Sequence, residues 1–219
     1  SASASQIGRS KLNEIRRVDG VEDVGLVGLS NASIVFEGDD SEPLDISLIG
    51  VEPDKPGQPT AYSGRGLRSK RGNEAVIGKN VALRAGLDVG DQFTIKSIQG
   101  TDDEFYTLEV VGISDGQQYF LRPSVAVPYL TWDRIRPQGF TDDGDEAELI
   151  FNIASVKLEE QLNLEQMAER LESQVTKVEA VDRTTAYEAS PGYSAQQSTL
   201  NTVRVFTLLI GLLVIGGFF

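Results

Sequence analysis

The chain has 219 residues, 40% hydrophobic and 24% charged, enough to bury a sizeable core and unlike a disulfide-stapled miniprotein or a disordered tail. Its 20 Lys and Arg stand against 33 Asp and Glu, a net charge of −13, which gives no general hold on a phosphate backbone or an anionic lipid face and argues against nucleic acid as a partner. Histidine and cysteine are both absent, removing imidazole acid–base chemistry, thiol nucleophiles, disulfides and the usual zinc ligands; a metal would have to be a hard ion held by oxygen.

Residues 1–6 are small and polar, without the basic and apolar regions of a signal peptide. Residues 7–19 carry Leu12, Ile15 and Val18 at helical spacing among Arg9, Lys11, Glu14, Arg16 and Arg17, and Gly20 stands where a glycine ends a helix. Val21 and Val24 lead into two β-rich runs, 26–29 and 32–36, with Ser30-Asn31 read as a turn between them. Strands are predicted at 44–49, 74–77, 92–96, 106–113 and 125–128, several of which alternate apolar and polar residues as a half-buried antiparallel sheet does. Between them, 80–85 reads as a short helix closed by Gly86, and a second helix begins near Thr131, before Trp132 and Ile135. Residues 148–157 return as a strand.

Asn163 and Gln166 form an N-cap pair for a helix whose apolar face holds Leu164, Met167, Ala168, Leu171 and Val175. A strand-like stretch, 178–187, comes after it. The two helix-to-strand junctions share Val-x-x-Val-Glu-x-Val, at 18–24 and at 175–181. That pattern is compatible with two similar α–β units pairing into one split βαβ layer, with everything between them inserted. The expected fold is therefore α+β: a discontinuous α/β subdomain at 1–44 and 148–187, and an inserted β-rich subdomain at 45–147.

Candidate chemistry is sparse. Gly78-Lys79 lacks the preceding glycine and the following Ser or Thr of a phosphate loop. The acidic run at 141–146 lacks the alternating spacing and distal Glu of a calcium loop and reads as a solvated turn. Ser69-Lys70 sits with Arg65, Arg68 and Arg71 in one basic cluster; a Ser–Lys dyad needs a buried, deprotonated amine, and four cations in seven residues indicate an exposed loop. A plain solvated loop is the first reading, and an anion contact through Arg65, Arg68, Lys70 and Arg71, to a partner's carboxylates or a lipid headgroup, ranks after it and ahead of catalysis. Tyr119, Tyr129 and Trp132 read as core rather than as a binding surface. Asn31-Ala-Ser33 matches a glycosylation sequon.

Residues 205–219 contain no charge and one hydroxyl; at ~1.5 Å per residue they cover roughly 22 Å of a ~30 Å hydrocarbon core. They read as the start of a transmembrane helix, joined to the acidic body by a stalk at 188–204. Thr207 and Gly211, followed by Gly216 and Gly217, would let such a helix approach others closely.

The order of these segments resembles the extracytoplasmic core domain of the MacB/FtsX-like permease family of ABC transporters, over nearly the whole chain. The resemblance is carried by Val-Asp-Gly-Val-Glu-Asp-Val at 18–24, Glu-Ala-Val-Ile-Gly-Lys-Asn-Val-Ala-Leu at 74–83, and Gly-Asp-Gln-Phe-Thr-Ile at 90–95. It continues through 105–113, Val-Ala-Val-Pro at 125–128, Ser-Val-Lys at 155–157 and the apolar run after 196–200. It implies a porter-like subdomain with a β-rich insert, held outside the cell membrane between two spans. It further implies no catalytic residue and no cofactor in this chain, an ABC ATPase subunit and a second permease copy as partners, and an envelope protein, lipoprotein or peptide as substrate or receiver of force. The residues alone leave open a binding or chaperone module on a single anchor, and a membrane-anchored hydrolase using Asp/Glu or Ser/Lys chemistry.

Overall fold

The computed structural model describes residues 9–36, 42–115, 123–137, 153–160 and 162–182. The stalk, the apolar run with Thr207, Gly211, Gly216 and Gly217, the acidic run at 141–146 and Tyr119 lie outside them. In chain order the elements are α1 (Arg9–Arg16), β1 (Val21–Val35), β2 (Leu44–Val51), β3 (Ala61–Gly64), β4 (Glu74–Gly78), α2 (Lys79–Ala85), β5 (Gln92–Gln99), β6 (Asp102–Ser114), β7 (Ser124–Pro128), α3 (Tyr129–Ile135), β8 (Ile153–Leu158) and α4 (Leu164–Gln174). This is the expected α+β composition, and no described helix is long and apolar enough to cross a membrane.

Six strands close on themselves. β2 runs antiparallel to β1, β7 parallel to β2, β4 antiparallel to β7, β6 parallel to β4, β5 antiparallel to β6, and β5 returns antiparallel to β1. Closure removes the free edges that an open sheet would present. The half-buried antiparallel sheet expected from alternation is thus replaced by a barrel with two parallel pairings, in which β4 and β7 are buried on both faces. β3 adds to β6, and β8 pairs with the first part of β1.

β1 is one strand of 15 residues, where two runs with a turn between them were expected. Ser30 and Asn31 lie in the ladder opposite Leu48 and Ser47, and the Ser30 hydroxyl accepts a hydrogen bond from Trp132 Nε1 at 3.0 Å. Ladder pairing and burial of the flanking apolar residues outweigh a weak local turn preference. As a result β1 serves two layers: Val21 to Val27 pair with β8, and Val27 to Ile34 pair with β2.

One core runs along that strand. Ile34, Leu48, Val125, Ile77, Leu108 and Ile95, one from each barrel strand, belong to a single buried cluster, which in a closed ring of alternating side chains is its interior. The same cluster continues through Val24 and Leu26 to Leu12, Ile15 and Val18, and to Met167, Leu171 and Val175 on and after α4. A smaller cluster, including Val27, Val51, Leu67, Val76 and Val111, lies on the opposite face of the strands.

The two Val-x-x-Val-Glu-x-Val segments share a turn. Gly20 and Lys177, at equivalent places in the two copies, both have positive φ, 96° and 58°. The helices grip each other's turns as well: Lys11 Nζ donates to the Thr176 carbonyl, and Arg170 Nη1 to the Asp19 carbonyl at 2.8 Å. Asp19 and Thr176 are again equivalent. The likeness stops there, because 178–182 forms no strand, and Val181 is 49% exposed where its counterpart Val24 is fully buried. No described strand offers that segment a ladder. α4 begins as expected, with Asn163 Oδ1 accepting from the Gln166 amide at 3.1 Å.

Candidate functional site

The basic loop lies between β3 and β4, and its backbone is fixed at both ends. Gly64 turns with φ of 74°, close enough to β6 that a Cβ there would stand 2.4 Å from the Val111 carbonyl. The Arg65 amide then donates to that carbonyl at 2.8 Å, and Leu67, 1% exposed, drops into the outer cluster.

Glu74 organises the middle of the loop. Its Oε1 accepts from the Arg68 and Ser69 amides at 2.8 and 2.7 Å, and its Oε2 accepts from Arg65 Nη1 at 2.7 Å. Burial opposes its charge, but the Ser69 amide, the Arg65 guanidinium and the Arg68 amide outweigh burial and hold the carboxyl below its ordinary 4.5.

The far end of the loop is tied to α3. Thr131 Oγ1, in a residue 1% exposed, donates to the Gly72 carbonyl at 2.8 Å and accepts from the Gly72 amide at 3.2 Å. The Leu130 amide donates to the Lys70 carbonyl at 3.3 Å. One turn on, Arg134 Nη2 donates to Asn73 Oδ1 at 2.9 Å while its guanidinium sits 5.6 Å from the Tyr106 ring centre. Burial, together with the Glu104 carboxylate bonded to its hydroxyl, pushes the Tyr106 phenol up to about 12.

The structure therefore divides the four predicted contact residues. Arg65 is consumed by Glu74, whereas Arg68, Lys70 and Arg71 are exposed and their side chains form no ion pair with a described residue. Ser69 Oγ is engaged with the Arg71 backbone, donating at 2.8 Å and accepting at 3.2 Å. With Lys70 exposed as well, neither residue is arranged for Ser–Lys chemistry. Two residues of the site escaped the sequence reading, Glu74 and Thr131. Glu74 had a signal, a lone acid opening the apolar strand Glu-Ala-Val-Ile-Gly; Thr131 had none.

Other candidates resolve simply. Lys79 opens α2 and lies 3.8 Å from the exposed Asp115 carboxylate. Asn31 of the sequon lies inside β1. Tyr129 and Trp132 are 6% and 3% exposed. Among the described residues no group of three acids is placed to hold a metal ion.

A family model for the MacB-like periplasmic core domain matches residues 2–200. Among solved structures, the extracellular domain of the noncanonic ABC-type transporter YknZ from Gram-positive bacteria superposes with a TM-score of 0.55 at 15% identity, covering 80% of this chain and 87% of that one. The periplasmic region of MacB from Actinobacillus actinomycetemcomitans gives 0.52 at 17% identity, covering 76% and 72%. At these identities the likeness is one of fold. No curated protein matches the chain.

Proposed function

Since this chain belongs to the MacB-like periplasmic core domain family, we propose that it is the extracytoplasmic part of an ABC transporter permease and acts as a mechanical element without bond chemistry of its own. ATP hydrolysis belongs to a separate ATPase subunit or domain. Movement of the membrane helices enters through the chain's terminal segments, and paired permease copies pass it to an envelope protein, lipoprotein or peptide outside the cell membrane.

The observation that carries this reading is β1. One strand forms both the layer with β8, α1 and α4 and the wall of the barrel, and one core fills both. A displacement of the α1–α4 layer is then transmitted through backbone hydrogen bonds and close-packed side chains rather than absorbed at a linker. The chain would move as one body, with relative motion arising between copies.

Assaying the purified chain for hydrolysis of ATP and of simple esters tests the non-catalytic half of the proposal. The expected outcome is no turnover above buffer, and nucleotide hydrolysis only when the full permease is assembled with its ATPase. Sustained turnover by the chain alone would defeat the reading.

A further inference from the structure

We propose that Arg68, Lys70 and Arg71, extended by Arg134 on α3, form a preorganised docking site for a short carboxylate-rich segment of a partner protein. All four side chains are exposed. They stand on a backbone held by Glu74 at Arg68 and Ser69, by Ser69 Oγ at Arg71, and by Thr131 and the Leu130 amide at Gly72 and Lys70. A solvated loop has no use for a buried carboxylate and a buried hydroxyl spent on its main chain. A loop that presents cations to a partner does, because ordering it beforehand lowers the entropy lost on association.

Arg134 joins the group through Asn73, which comes directly after Gly72, and its bond to Asn73 Oδ1 leaves the rest of its guanidinium free of any described ion pair. The arginine forks match carboxylate geometry. Charge on the rest of the molecule selects the size of the partner. The chain carries −13 overall, so a long polyanion or an extended anionic membrane would bring most of its charge against an acidic surface. A segment with a few carboxylates fits within the footprint of four residues of loop, and the repulsion beyond it is screened over a Debye length of ~8 Å at physiological salt.

The probe is a fluorescein-labelled octaglutamate peptide, titrated by anisotropy into the full chain in nonionic detergent at physiological salt. Saturable binding is expected, weakening as salt rises. The triple variant Arg68→Ser/Lys70→Ser/Arg71→Ser should lose about tenfold or more in affinity with an unchanged circular dichroism spectrum, since none of the three side chains supports the loop. Arg68→Lys/Arg71→Lys, which keeps the charge but loses the forks, should bind more weakly than the parent and more tightly than the triple variant. Equal affinity for parent and triple variant overturns the proposal. So does saturable binding of sodium polyphosphate or phosphatidylglycerol vesicles through the same residues with none of the peptide.

Discussion

Trp132→Ala is expected to cost about 3–5 kcal/mol of stability, the range for removing a large aromatic from a packed interior. The indole is 3% exposed and lies against a pair of glycines that face each other across the β1–β2 ladder, Gly28 and Gly50. A Cβ at Gly50 would stand 2.4 Å from Trp132 Cγ and 2.5 Å from its Cβ, and one at Gly28 would stand 2.6 Å from the ring edge. Both glycines are there because the ring occupies the space of their side chains. Nε1 bonded to Ser30, and Arg136 at 5.5 Å from the ring centre, fix its orientation.

Gly50→Ala alone should cost about 1–3 kcal/mol by overpacking, because the obstructing atoms belong to the root of the tryptophan and α3 must move. In Gly28→Ala/Trp132→Ala the added methyl enters the cavity that the lost ring leaves, because every atom that obstructs it belongs to the ring, whereas at Gly50 the Cβ of residue 132 would still stand in the way. The double variant should then be more stable than the sum of the singles predicts, by at least about 1 kcal/mol in urea unfolding. Simple additivity would show that the ring and the glycine do not compete for one space.

The second large effect is at Glu74. Glu74→Ala leaves the Arg68 and Ser69 amides and the Arg65 guanidinium without their acceptor and should cost about 2–3 kcal/mol. The sign with pH is set by the direction of the shift. A carboxyl held below its ordinary 4.5 in the folded chain contributes its stability in full above that value and loses it as pH falls through the lower folded value. The parent should therefore lose stability on acidification from pH 5 downward by more than Glu74→Gln does, while the two should run parallel above pH 6. Identical acid limbs for both would mean that Glu74 is not held ionised by the loop.

Much of the local structure could be read from the residues. The apolar runs at 44–49, 74–77 and 125–128 and the alternation at 92–96 mark β2, β4, β7 and β5, and Gly86, at φ of 65°, closes α2 as expected. What could not be read is set by pairing between distant segments. Nothing in 92–96 and 32–36 announces that they meet and close a ring. Ser30-Asn31 has turn chemistry but is held straight by Leu48, Ser47 and Trp132, the last more than a hundred residues away. β3 has four residues, too few for a period to show. The basic cluster was visible as charge, yet its sorting into one structural cation and three presented ones depends on Glu74, whose role appears only once β4 and the loop are brought side by side.

Mechanical coupling of this kind requires the chain to move as one body, and the distance between its two layers measures that directly. This chain contains no cysteine, so Arg84→Cys on α2 and Glu169→Cys on α4, both exposed positions, can be spin-labelled in the full permease assembled with its ATPase once any cysteine outside this chain is replaced. The expected result is the same distance distribution between the two labels in the nucleotide-free and ATP-bound states, with the change appearing between Arg84 labels on paired copies. A distribution within one copy that shifts or splits when ATP binds would contradict one-body movement.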